Sequence, residues 1–253
     1  MEYQEDFTKN PVAREKMYDE AGREQKGDKI VAVVRDYLGD TSQRSLLDMS
    51  CSAGMMTQLF GHHFGRTVGI DIDEEAVASA RRVHSDQGIE FQVMNALDTS
   101  FEDESFDVVV CNQMYEHVPD PQRMMREIRR LLAPGGVCYF GALNRLNVIE
   151  PHYGRNPFLS YLPKPLAHRY LRLLGRGDYY YETLYTYSGL AALCSEFTRI
   201  DYTEKVVRDP EKFAATDMVT PGSVGQRAAL ALLKFAYWAF PGYIWLLERP
   251  TAR

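Results

Sequence analysis

Five apolar runs punctuate the first 143 residues, at Ser45 to Met49, Thr67 to Asp71, Glu90 to Met94, Phe106 to Cys111 and Val137 to Leu143. Each is short and nearly continuous rather than alternating, as expected of strands covered on both faces. Helical spacing fills most of the intervals: Gly54 to Phe64, Glu74 to Asp86, and Pro121 to Leu132, the last expected to stop at Pro134-Gly135-Gly136. Strands separated by helices of this length predict βαβ units and a parallel sheet. Ahead of the first run, Ala13, Met17, Ala21, Ile30, Val33, Val34, Tyr37 and Leu38 mark a helical stripe over 13–38. Gly22 and Gly27 are expected to divide it. Residues 1–12 read as a mobile polar arm.

After Leu143 the rhythm breaks. Residues 144–185 are rich in Tyr, Pro and Arg and fit no strand or helix pattern. An insertion leaving the carboxyl end of a strand passes over the mouth of an α/β site, and the aromatic content argues against disorder. The segment is therefore read as a substrate lid. A helix follows at Ser188 to Ser195, then a weakly alternating sixth strand within 197–207. A strongly apolar helix runs from Ser223 to Phe240, and a seventh strand from Tyr243 to Leu247. The 223–240 helix falls a little short of the roughly 20 apolar residues a bilayer span requires. It is read as packing on core or lid, with a dimer face or peripheral membrane contact left open. The fold class is thus α/β: a doubly wound, mostly parallel seven-stranded sheet with helices on both faces, plus the lid.

The chemistry sits where the first two runs stop. The first ends at Asp48 and turns through small residues, Ser50-Cys51-Ser52-Ala53-Gly54. The second ends at Asp71. Small residues let the backbone approach a ligand, and an acid ending the second strand can accept both ribose hydroxyls. The pair predicts a nucleoside cofactor. It is not the dinucleotide fingerprint, because Ser50, Ser52 and Met55 stand where G-x-G-x-x-G needs glycine.

The turn D-x-S-C-S-A-G resembles the D-x-G-x-G-x-G turn of class I S-adenosylmethionine-dependent methyltransferases, with serine for the first two glycines. Further blocks match in order: Asp71; Asn95-Ala96; Phe106 to Asn112; and two blocks, Glu116-His117-Val118-Pro119-Asp120-Pro121 and Leu131-Leu132-Ala133-Pro134-Gly135-Gly136, typical of the subgroup acting on small molecules. The resemblance covers roughly residues 44–143. It implies a Rossmann-like methyltransferase fold whose last strand inserts antiparallel between the fifth and sixth, with leading helices (1–40) capping the cofactor. It implies S-adenosyl-L-methionine as cofactor, held by Asp48, Ser50, Cys51, Ser52, Ala53, Gly54, Asp71, Ile72, Asn95, Ala96, Asn112 and Gln113. Asp73 and Asp98 each have two readings, as support for the cofactor or as local caps.

If the acceptor is a hydroxyl, a base near neutral pH helps remove its proton, and histidine is the usual choice. His117 follows the fourth strand and His152 starts the lid; either is a candidate, with Glu116 as an orienting or substrate-binding carboxylate. His117 can equally fix its loop. Tyr115, Tyr153, Tyr161 and His152 are candidate substrate-pocket residues, though aromatics also fill cores. His62 and His63 face away from the site, and His84 lies on an expected surface helix.

The chain has 253 residues, 45% hydrophobic and 25% charged, with a formal net charge of -6. There is no basic block, so a nucleic-acid partner is not expected. The four cysteines form no C-x-x-C pair, so no metal site is expected. They read as reduced residues of a cytoplasmic protein, two of them in core strands. The sequence thus reads as one domain over 1–253, a monomer or homodimer without a transmembrane segment, moving a methyl group to a small molecule, with oxygen of an aromatic, lipid-like or sugar acceptor favoured. A nicotinamide oxidoreductase or a non-catalytic scaffold on the same sheet are the alternatives.

Overall fold

Leu46 and Leu47 are both wholly buried although they point to opposite faces of one strand. That strand, β1 (Ser45–Asp48), lies near the middle of a seven-stranded sheet. In the computed structural model, which describes residues 19–84 and 88–250, the remaining strands are β2 (Arg66–Asp71), β3 (Glu90–Val93), β4 (Phe106–Asn112), β5 (Leu132–Leu143), β8 (Thr198–Asp201) and β9 (Gly242–Glu248). Their order is β3-β2-β1-β4-β5-β9-β8. The first five are parallel, and β9 runs antiparallel between β5 and β8. The order reverses between β1 and β4, which opens a crevice at the carboxyl edge.

Successive strand residues divide between two cores, as the period of two requires. Leu47, Val109, Cys111, Cys138 and Phe140 join one; Leu46, Val108, Val110, Val137 and Tyr139 join the other. The first face is covered by α4 (Pro121–Leu131) and α6 (Tyr187–Leu193). The second is covered by α1 (Glu20–Leu38), α2 (Met55–Gly61) and α7 (Thr203–Arg208). Beside the β2–β3 edge, α3 (Glu74–Val83) buries Val77 and Ala80 against Phe91. All four cysteines are buried and unbridged.

Several boundaries differ from the sequence reading. The expected break of the first helix does not occur: α1 runs unbroken through Gly22 and Gly27. A Cβ on Gly27 would lie 2.6 Å from Leu59, so this glycine lets α1 and α2 approach rather than ending a helix. Residues 1–18, with the polar arm and the start of the stripe, lie outside the described residues, as does Asp86. Pro134-Gly135-Gly136 does not precede β5 but lies within it, because pairing with β4 resumes across a register shift between Phe106 and Val108. The sixth strand stops at Asp201; Val206 is buried by α7, so its apolarity came from a helix face. The long apolar helix is α8 (Val224–Ala236), followed by a 3-10 turn over Tyr237–Ala239. No described helix is long and apolar enough to cross a membrane.

Residues 144–185 form a small layer of their own. A two-stranded ribbon, β6 (Ile149–Glu150) with β7 (Asn156–Pro157), leads into α5 (Lys164–Leu173). Leu159, Ala167, Leu171 and Tyr180 make its separate core. The returning chain is stitched to the β4 loop: the Thr183 amide donates to the Glu116 carbonyl at 3.0 Å, and the Tyr185 amide to the Tyr115 hydroxyl at 3.1 Å.

Candidate active site

The turn after β1 is held from both sides. The Met49 amide donates to Val110 O of β4, and the Cys51 amide to Ile70 O of β2, at 3.1 and 2.9 Å. The Asp71 carboxylate then accepts the Ser52 amide at 2.9 Å and the Asp73 amide at 3.0 Å. Of the two serines replacing glycine, Ser52 takes the left-handed conformation at φ +50° and Ser50 does not. Gly54 has φ +84°, and a Cβ there would sit 2.9 Å from Ala80 and Phe91. The turn therefore keeps its shape with serine at 50 and 52, and glycine is indispensable only at 54. Cys51 and Ala53 are buried, Cys51 packing on Val77 and Phe91, so these two offer backbone rather than side chain. Ile72 is half-buried beside Asp71.

Asp48 is buried, accepting from the Thr57 hydroxyl at 2.8 Å and the Ser50 amide at 3.4 Å. Burial pushes its carboxyl up to about 6, and burial also raises that of Asp71. Arg23 of α1 lies within electrostatic reach of both acids. Sequence reading missed it, because a single arginine in a helix carries no motif. The Ser52 hydroxyl is buried without a hydrogen-bond partner. A buried acid, a half-buried acid, a guanidinium and a buried hydroxyl around one backbone turn suit a zwitterionic amino acid joined to a ribose. The residues fit S-adenosylmethionine.

The other expected cofactor residues flank this turn. Asn95 closes its own turn by accepting the Leu97 amide at 2.9 Å, and Ala96 is buried next to it. Asn112 ends β4 and Gln113 follows it at φ +53°, its amide donating to Gly141 O at 2.7 Å. A Cβ on Gly141 would meet Asn112 Oδ1 at 2.1 Å, so only glycine leaves room for this asparagine. Both border a cavity of about 180 Å³ shared with Lys29, Tyr139 and Tyr243. A larger open depression of about 520 Å³, lined by Arg35, Asp36, His63 and Lys212, holds none of the expected site residues. Asp73 caps α3 through the Glu75 and Ala76 amides, and Asp98 pairs with Arg123 at the surface.

A second group forms where the lid meets the β4 loop. His117 and His152 lie edge to face, ring centroids 4.9 Å apart. His152 Nδ1 is hydrogen-bonded to Glu150, and its Nε2 stands 3.9 Å from Glu116 Oε1. His117 Nδ1 lies 3.7 Å from Glu182 Oε1, which also accepts from the Tyr153 hydroxyl at 3.2 Å. Glu116 and Glu150 are wholly inaccessible and Glu182 nearly so. Burial pushes the Glu116 carboxyl up to about 7. Burial, with His152 nearby, lowers His117 to about 3. For His152 burial works downward, but the Glu150 hydrogen bond and the three carboxylates together raise it. Sequence reading named Glu116, His117, His152 and Tyr153. It missed Glu150 and Glu182, which lie in a segment whose sequence shows no strand or helix pattern.

Two candidates fall elsewhere. Tyr115 is buried in the sheet core, its hydroxyl donating to Leu143 O at 2.7 Å, so it braces the lid root instead of lining a pocket. Tyr161 is exposed on the lid and donates to Leu146 O. His84 is buried, not on a surface, with its ring near the Ala53 backbone and Phe91.

Residues 47–140 match a family model described as a methyltransferase domain. The chain is 34% identical over 113 residues to a ubiquinone biosynthesis O-methyltransferase of Pseudomonas syringae, covering 44% of this chain and 49% of that one. It is 31% identical over 163 residues to the protein of the same name from Bordetella avium, covering 63% of each. The chain thus spans about half to under two thirds of the length of these relatives. Among solved structures, geranyl diphosphate C-methyltransferase of Streptomyces coelicolor matches with a TM-score of 0.52 at 17% identity, over 88% of this chain and 76% of that one. The cyclase SpnF matches with a TM-score of 0.54 at 19% identity, over 89% and 81%. These likenesses show the fold. The segment that matches the methyltransferase model contains both acids, Asp48 and Asp71, and the Glu116-His117 loop.

Proposed function

We propose that this chain transfers a methyl group from S-adenosylmethionine to an oxygen of a lipid-like aromatic acceptor. One observation carries the reading: the acid-lined turn after β1 and the Glu116-His117 loop after β4 follow neighbouring parallel strands on one edge of the sheet, and the lid brings His152 to that loop. The names of the Pseudomonas and Bordetella relatives support an oxygen acceptor. The family match weighs against the oxidoreductase alternative, and the intact Ser52–Asp71 turn against the scaffold.

When bound, S-adenosylmethionine supplies an electrophilic methyl on a sulfonium. Asp71 would take the ribose hydroxyls, Asp48 the ammonium and Arg23 the carboxylate. Asn95, Ala96, Asn112 and Gln113 would border the rest. Fixing donor and acceptor in line can itself contribute several kcal/mol. The acceptor hydroxyl loses its proton at the His117–His152–Glu116 cluster, and Tyr153 would border the same space.

The lid exposes Phe158, Leu166, Leu173, Leu174 and Tyr179, and α8 exposes Phe235. Such apolar surface suits an acceptor drawn from a membrane face. The acceptor class is tested by incubating the chain with labelled S-adenosylmethionine and a pair of catechols, one carrying a long alkyl tail. Label in an aryl methyl ether, formed at least tenfold faster from the tailed compound, is expected. Label on nitrogen or carbon acceptors alone, or equal rates with both catechols, would replace this reading.

A further inference from the structure

We propose that Glu116, His117 and His152 hold one divalent transition-metal cation between the β4 loop and the lid. One donor atom from each of the three lies within 4.8 Å of the others. Ligands about 2.0–2.2 Å from a common ion can be up to roughly 4.4 Å apart, so small side-chain movements close the set. Both oxygens of Glu116 are buried without a hydrogen-bond partner. A buried carboxylate in that state costs several kcal/mol unless something positive compensates it; no arginine or lysine is paired with it among the described residues, and His152, 3.9 Å away, is shared with two further carboxylates.

The surroundings have the form of a metal site. A metal-bound imidazole usually gives its second nitrogen to a carboxylate, which fixes ring and tautomer. His152 Nδ1 is bonded to Glu150, which leaves Nε2 turned toward Glu116. Glu182 stands beside His117 and is itself held by Tyr153. With three buried acids beside two half-buried imidazoles, a dication would bring the group closer to neutrality.

The donor set also selects the ion. Magnesium and calcium prefer all-oxygen shells, whereas two imidazoles and a carboxylate suit zinc, iron or manganese. Three protein ligands leave open positions, as in catalytic rather than structural sites. Glu116 and His117 come from the β4 loop and His152 from the lid, so the ion would also pin the lid to the sheet. With the ion in place its part in methyl transfer would replace that of a side-chain base, lowering the pKa of a bound acceptor hydroxyl so that its proton passes to solvent; that part rests on the reading above, and the ion's presence does not.

The test is a titration of the full chain, stripped with chelator, with Co²⁺ followed in the visible spectrum, and with Zn²⁺ followed by elemental analysis. One equivalent of either ion, with cobalt bands shifted by histidine ligation, is expected. At a hundredfold excess over Kd the melting temperature should rise by roughly 5–10 °C. Glu116→Gln, nearly isosteric, should weaken binding at least tenfold, and His152→Ala more. A wild-type chain that binds no stoichiometric Co²⁺ or Zn²⁺, or a folded Glu116→Gln chain that binds as tightly as wild type, overturns the site. S-adenosylhomocysteine is titrated in parallel. Its binding without metal binding sinks this inference alone; metal binding without it sinks the methyl-transfer reading alone.

Discussion

Asp71 is bonded to the Ser52 amide, 19 residues earlier in the chain, at 2.9 Å. The acid that ends β2 therefore shapes the turn that follows β1, and both of its oxygens already receive backbone amides. Asp71→Ala should lower affinity for S-adenosylhomocysteine by more than tenfold, since it removes a ribose acceptor and the brace of the turn together. Asp71→Asn keeps one acceptor oxygen and should fall between. Calorimetric titration measures both, with circular dichroism as the check on folding. Wild-type affinity in the alanine variant would remove Asp71 from the site.

Ser52 and Gly54 respond oppositely to substitution. A left-handed backbone costs a non-glycine residue roughly 1–2 kcal/mol. A new glycine adds roughly 0.5–1 kcal/mol of unfolded-state entropy. Ser52→Gly should thus stabilise by about 0.5–1 kcal/mol, raising the melting temperature by roughly 1–4 °C. Gly54→Ala meets both a positive φ and two contacts at 2.9 Å, and should destabilise by roughly 2–4 kcal/mol. Scanning calorimetry of the pair checks the sign of each.

Burial holds Asp48 partly protonated near pH 6. The groups that act on it are Thr57, Ser50, Asp71 and Arg23. On the proposed reading an ionised Asp48 attracts the cofactor's ammonium, so affinity for S-adenosylhomocysteine should rise from pH 5 through 6 and level off above about 7. The stability of the free protein runs the other way. A carboxyl raised on folding contributes stability below its unfolded pKa, and that contribution is lost as pH rises through the folded value. Asp48→Asn should flatten both profiles, and a variant that keeps either slope assigns it to another group.

Tyr115→Phe keeps the ring and removes the hydroxyl shared by Leu143 O and the Tyr185 amide. Leaving backbone groups unpartnered costs about 1–2 kcal/mol. The loss should fall on the lid root, so hydrogen exchange should quicken over residues 183–187 while β1 and β4 stay protected. Uniform quickening would mean a core role alone.

The sequence by itself determined the sheet. Strand runs and helix spacings are local patterns, and two acids at strand ends with a small-residue turn between them are readable because the cofactor turn is nearly contiguous in the chain. Errors arose where tertiary pairing outweighs local preference. Pro134-Gly135-Gly136 reads as a stop, yet β4 carries the strand across it. Gly27 reads as a break, yet α2 packs against it. Tyr115, next to Glu116 in sequence, points to the core while its neighbour faces the lid. Only the tertiary structure decided the second half of the site. Glu116 and His117 of the β4 loop, Glu150 and His152 of the lid's first strand and turn, and Glu182 of its return meet because the lid folds back and bonds to the β4 loop. No periodicity records such an encounter, since it depends on the path of a chain segment with no regular repeat.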